Sequence, residues 1–83
     1  MSNTARTPAQ IGALLHRERR ARGLTQAQLG ERIGRRQATI SKLEKGEPGT
    51  QLSTLFDALS ALNLEITLVE RRTAGKTDIE SIF

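Results

Sequence analysis

The 83-residue chain has no cysteine and only one histidine, His16. Disulfides and thiolate metal sites are therefore excluded, and His16, set in a basic run, has no second imidazole with which to share a metal. No apolar run approaches the roughly 18 residues that a membrane-spanning helix needs. The opening Met1-Ser2-Asn3-Thr4-Ala5-Arg6-Thr7-Pro8 lacks the apolar core of a signal peptide, so a cytoplasmic protein is expected. Acids are scarce in the first half: residues 1–46 hold ten Lys or Arg against three acids, whereas residues 47–83 hold three against six. The net charge of +4 thus divides into a basic half and a mildly acidic half, which points to a polyanion on one side only. A membrane surface would attract the same charge, but the basic residues share no helix with a long apolar face free for lipid. No paired carboxylates mark a cleft, and neither an enzyme nor a cofactor is expected. Ala74-Gly75-Lys76-Thr77 imitates the end of a phosphate-binding loop, yet it lacks the upstream glycine and a following helix.

What the chain does contain is a succession of short helices with legible ends. At this length one small domain with a modest core is expected, and self-association is a common supplement. Residues 1–6 read as a disordered N-terminus. Thr7-Pro8-Ala9-Gln10 reads as a capping box with Pro at the first helical position. The helix it opens runs to about Arg22 and stops at Gly23, with Ile11, Leu14 and Leu15 as its apolar stripe. Thr25 and Gln28 form a second capping box, and Gly34 stands where a left-handed residue would end that helix. Gly46 does the same for a third helix. After the turn Glu47-Pro48-Gly49, Thr50 is the expected cap of a fourth helix, in which Leu52, Leu55, Phe56, Leu59 and Leu62 repeat at helical spacing. Asn63 can end it in a left-handed conformation.

The third helix presents two unlike faces. At 3.6 residues per turn, Gln37, Ala38, Ser41, Lys42 and Lys45 share an arc of about 140°. Ile40 and Leu43 point the other way, toward Leu29 and Ile33 of the second helix. A merely solvated face usually mixes Glu with Lys in i,i+4 pairs, but this one carries no acid. Small, polar and basic side chains together suit a DNA groove. Gln37 can pair bidentately with adenine N6 and N7, and Ala38 is the size that accepts a thymine methyl. Lys42 can reach guanine O6/N7 or a phosphate. Arg35 and Arg36 suit phosphates, which position a protein without reading sequence, and Ser41 could serve either purpose.

Beyond Asn63 the hydrophobic period changes from 3.6 to 2. Leu64, Ile66 and Leu68 alternate with Glu65, Thr67 and Val69, which reads as a strand over 64–70 with one apolar face. A single strand leaves its backbone donors and acceptors without partners. Pairing with a twofold-related copy solves this, so a homodimer is expected, with Leu64, Ile66 and Leu68 as its dimerisation residues. Residues 71–83 read as a flexible tail whose Ile79, Ile82 and Phe83 share one side of a helical turn and could dock on a partner protein or fold back on the dimer.

Gly23-Leu24-Thr25-Gln26, Leu29, Ile33-Gly34, Thr39-Ile40-Ser41 and Leu43-Glu44-Lys45-Gly46 together resemble the Cro/C1-type (XRE) helix-turn-helix domains, over about residues 8–62. The resemblance implies an all-α, lambda-repressor-like domain of four helices over 7–63, followed here by the one C-terminal strand. The run from Gln37 to Ser41, with the fourth helix and the strand, is similar to HipB-like antitoxins in particular. These are dimeric repressors of type II toxin-antitoxin systems that also bind HipA-type Ser/Thr kinase toxins. A stand-alone XRE-family repressor without a toxin shares every one of these DNA-side features and stays open as the alternative.

By position, the resemblance implies that Gln26 holds a phosphate and that Arg36, Gln37, Ala38, Ser41 and Lys42 face the groove. It implies that Arg19 pairs with Glu44 to tie the first helix to the third. Two departures stand out. Gly30 replaces a small residue, often Ala, and should loosen the second helix by up to about 1 kcal/mol. Arg35 and Arg36 replace an apolar residue and a capping Ser or Thr, which weakens the N-cap of the third helix. A twofold dimer would set its recognition helices about 34–36 Å apart, so the operator in double-stranded DNA should be an inverted repeat.

Overall fold

The computed structural model describes residues 3–71. Four helices follow one another: α1 (Pro8–Ala21), α2 (Gln26–Ile33), α3 (Gln37–Lys45) and α4 (Leu52–Ala61). Their ends are set mostly by the local chemistry expected of them. Thr25 Oγ1 accepts the Gln28 N–H at 3.0 Å while Gln28 Oε1 accepts the Thr25 N–H at 2.8 Å, a complete capping box. Gly34 then closes α2 at φ 69°, in the left-handed region that glycine enters without strain. Asn63 takes the same region after α4, at φ 59°. Arg36, the N-cap of α3, makes no side-chain capping bond, as the loss of a Ser or Thr there implies.

Two ends differ from expectation. Thr7 Oγ1 accepts the Gln10 N–H at 3.1 Å, but the Gln10 side chain turns back to the N–H of Arg6 rather than that of Thr7, so only half of the first box forms. Arg6 therefore lies against the start of α1, and Asn3 accepts a hydrogen bond from Arg17. The segment read as disordered thus touches the domain at both residues. α4 begins one residue later than expected. Thr50 uses its N–H to close the turn onto the Glu47 carbonyl at 3.2 Å, and Gln51 becomes the cap.

The core is small. Leu15 of α1, Leu29 of α2, Ile40 and Leu43 of α3, and Ala58, Leu59 and Leu62 at α4 are buried, with Leu24, Ile33, Leu55 and Leu64 packed around them. Of the five apolar residues repeating along α4, Leu52 and Phe56 instead face solvent, at 71% and 51% exposure. Two glycines allow the helices to approach closely. A Cβ on Gly12 would meet the Leu43 carbonyl oxygen at 2.7 Å, so α1 crosses α3 nearly backbone to backbone. A Cβ on Gly30 would meet the Arg35 carbonyl oxygen at 2.6 Å. Gly30 is therefore a steric requirement of the α2–α3 turn rather than a weakness in α2, which corrects the propensity reading.

No strand forms among the described residues. Leu64 packs on the core, whereas residues 65–71 run on without regular structure, leaving Ile66 at 41%, Leu68 at 93% and Val69 at 76% exposure. A lone strand has no ladder to join within one chain. No described helix is long and apolar enough to cross a membrane. Ile79, Ile82 and Phe83, and the Ala74–Thr77 run, lie outside the described residues.

Candidate nucleic-acid interface

The α2–α3 turn places the start of α3 beside the start of α2. On that side Arg36, Gln37, Ala38, Lys42 and Lys45 are exposed, while Thr39, Ser41 and Gln26 are half-buried at its margin. The opposite side of α3 is closed: Ile40 is fully buried and Leu43 nearly so. One helix thus anchors itself by its apolar side and presents a basic, polar side outward, which is the physical requirement of a recognition helix.

The two glutamines expected on this face touch. Gln37 Nε2 donates to Gln26 Oε1 at 2.7 Å, and Gln26 Nε2 donates to Glu44 Oε1 at 3.0 Å. Sequence spacing does not reveal these bonds, because Gln26 lies on α2 while Gln37 and Glu44 lie on α3, and helical periodicity does not carry across the turn between them. Beside these bonds lies an open cleft of about 520 Å³ lined by Arg19, Arg20, Thr25, Gln26 and Gln37 among others. Arg20, an exposed cation not counted among the contact residues, therefore borders the same face.

Beneath the face sits the Arg19–Glu44 pair that the resemblance implies. Arg19 Nε donates to Glu44 Oε2 at 2.6 Å and Nη2 to Oε1 at 3.1 Å, while Nη1 donates to the Leu24 carbonyl at 2.6 Å. His16 Nδ1 reaches Glu44 Oε1 at 2.8 Å, a role for the lone histidine that its position in a basic run did not suggest. Burial pushes the Glu44 carboxyl up, but hydrogen bonds from Arg19, Gln26 and His16 and the Arg19 charge outweigh it. The group is held below the usual carboxylate range. No buried polar side-chain atom among the described residues lacks a partner. The pair therefore fixes α1, α2 and α3 relative to one another directly behind Gln37.

Arg35 is held from the α4 side. Its Nη2 donates to Asp57 Oδ2 at 3.2 Å, Nε to Thr54 Oγ1 at 3.4 Å and Nη1 to the Ile33 carbonyl at 3.3 Å. These bonds lean it toward α4 while its side chain stays 32% exposed. Arg36, with no such partner on α4 and an exposed side chain, keeps its place at the margin of the face. Asp57 lies 22 residues further on, out of reach of any local reading.

The comparisons agree with this geometry. A family model described as a helix-turn-helix domain matches residues 10–73. Antitoxin HipB of Escherichia coli (strain K12) is 35% identical over 74 residues, which span 89% of this chain and 84% of that protein. Antitoxin HipB of Escherichia coli O6:H1 (strain CFT073) is 37% identical over 69 residues, covering 83% of this chain and 73% of the relative. Among solved structures, the chain of a HipB–O4 20mer complex matches 86% of this chain and all of itself, with a TM-score of 0.79 and 34% identity. The structure of a HipA–HipB–O2–O3 complex matches equally widely, with a TM-score of 0.78 and 34% identity. Sequence, fold and the recognition face point the same way, and the chain belongs to the HipB antitoxin family of helix-turn-helix proteins.

Proposed function

We propose that the chain is a DNA-binding repressor and antitoxin, which binds an inverted-repeat operator as a homodimer and a HipA-type Ser/Thr kinase toxin as its partner. Its work is binding, done in the cytoplasm, rather than catalysis. The observation that carries this reading is the exposed face of Gln37, Ala38, Lys42 and Lys45 on a chain that matches HipB over most of its length. Gln37 and Ala38 read bases, Ser41 and Lys42 contact bases or phosphates, and Gln26, Arg35, Arg36 and Lys45 hold the backbone. The relatives solved with a 20mer and with HipA support both partners.

The homodimer is proposed from the apolar surface that one protomer leaves uncovered. Leu52 and Phe56 of α4 face outward, as do Ile66 and Leu68 of the following segment. In the dimer, residues 64–70 pair as an antiparallel ribbon with their twofold copies, with Leu64 holding each ribbon strand to its own core. The domain proper is residues 7–63, and residues 71–83 form a tail whose Ile79, Ile82 and Phe83 engage the kinase.

The test is recovery of the tagged full chain from its native extract after nuclease treatment. A stoichiometric kinase-sized chain that remains bound is expected. Recovery of the homodimer alone would overturn the antitoxin part and leave a stand-alone repressor.

A further inference from the structure

We propose that Glu44, a buried residue behind the recognition helix, determines which purine Gln37 accepts. The proposal rests on the reading that Gln37 contacts a base. A side-chain amide can present its oxygen and nitrogen either way round, and the two arrangements suit different bases. Here the choice is made from inside. An ionised carboxylate only accepts hydrogen bonds, so Gln26 must turn Nε2 toward Glu44 Oε1, 3.0 Å away. That leaves Gln26 Oε1 facing outward, and Gln37 must in turn donate to it through Nε2, at 2.7 Å.

Gln37 therefore meets the groove with Oε1 and one N–H free, an acceptor beside a donor. Adenine offers the complement, an N6–H donor and the N7 acceptor. Guanine offers two acceptors, N7 and O6, and would set O6 against Oε1. With the polarity reversed, Gln37 Oε1 would be occupied by Gln26 and both N–H groups would be free, an arrangement that suits guanine. Glu44 is a positioning residue in this scheme. Its side chain is 4% exposed, and Arg19 fixes it through bonds of 2.6 and 3.1 Å.

Arg19→Met/Glu44→Leu is the informative variant, because it removes the carboxylate without leaving a buried guanidinium unpaired. Glu44→Gln would not serve: Arg19 Nη2, Gln26 Nε2 and His16 Nδ1 all address the Oε1 position and only Arg19 Nε addresses Oε2, so the amide oxygen stays opposite Gln26. Without the carboxylate, Gln26 can present either its oxygen or its nitrogen outward, and Gln37 follows it either way round. Gln26→Leu is the second variant, since it removes the relay while leaving the Arg19–Glu44 pair intact.

The experiment measures binding of the full chain to operator duplexes by fluorescence anisotropy at fixed salt, with adenine or guanine at the position that Gln37→Ala desensitises. The parent should prefer adenine there by roughly five- to 150-fold, the range of one bidentate pair. Arg19→Met/Glu44→Leu and Gln26→Leu should each narrow the preference to within about threefold, while contacts elsewhere in the site keep theirs. A folded Arg19→Met/Glu44→Leu variant with the parent's adenine preference overturns the proposal. If that variant does not fold, Gln26→Leu decides: a narrowed preference supports the relay and an unchanged one overturns it. A parent with no purine preference at any Gln37-sensitive position contradicts the base contact itself, and the relay falls with it.

Discussion

Arg19→Met tests how much of the domain hangs on one buried pair. The Arg19 and Glu44 side chains are 7% and 4% exposed, and Arg19 supplies two of the four hydrogen bonds that reach the carboxylate. Methionine keeps much of the aliphatic length but leaves Glu44 with His16 and Gln26 alone, and it strips the Leu24 carbonyl of its guanidinium donor. Removing one partner of a buried pair costs about 3–5 kcal/mol, because the other charge stays in low dielectric. A domain of this size has a total stability of about 4–12 kcal/mol, so the variant should lose about a quarter of it or more. Since one kcal/mol corresponds to about 4–8 °C, Tm should fall by at least about 12 °C. The assay is urea unfolding followed by circular dichroism at fixed protomer concentration, because a dimer's stability depends on concentration. Arg19→Met/Glu44→Leu should recover most of the loss, as apolar replacements of a buried pair usually do. A single variant that loses less than about 1 kcal/mol would refute the reasoning, as would a double variant in which the two losses simply add.

Three further outcomes are expected. Gly30→Ala gains about 1 kcal/mol of helix propensity but drives a methyl into the Arg35 carbonyl, where overpacking costs about 1–3 kcal/mol; thermal melting should show a net loss, and a raised Tm would contradict it. Because the folded Glu44 carboxyl is held below its ordinary value of about 4.3, its contribution is complete above that value and is lost as pH falls through the lowered one. Acid melting of the parent should therefore steepen in that window and flatten in Glu44→Gln, and parallel acid limbs would exclude the effect. Leu68→Glu, at a site 93% exposed in the single protomer, should reduce the mass in sedimentation equilibrium from dimer to monomer, whereas an unaltered dimer would remove Leu68 from the interface.

The parts of this fold that could be read from the sequence are those decided within a single turn of chain. Thr25 and Gln28 sit three residues apart, and Gly34, Gly46 and Asn63 each act through their own φ, so the helix ends follow from neighbours alone. The cap of α4 falls at Gln51 rather than Thr50 because the Thr50 N–H is used in the preceding turn. Where tertiary contacts decide, local reasoning gave the wrong sign. Gly30 is a defect by helix propensity but a clearance for the Arg35 carbonyl in the fold, and the bond from Arg35 to Asp57 spans 22 residues that no local pattern connects. The Arg19–Glu44 pair was implied by family resemblance rather than by spacing, and the Gln26–Gln37 contact by neither. The outward residues of α3 were legible because one period separates them from the buried ones, but the order imposed on Gln37 from behind comes from three helices at once.

The measurement closest to the central claim is selection of bound duplexes from a random pool by the full chain, repeated with Gln37→Ala and Lys45→Ala. The expected product is an inverted repeat with half-sites about one helical turn apart, bound by two protomers with a steep salt dependence. Gln37→Ala should then erase the preference at one base pair per half-site, costing about 1–3 kcal/mol there, while Lys45→Ala weakens all sequences alike. A selected site without twofold symmetry, or a Gln37→Ala loss spread evenly over every sequence, would contradict the account.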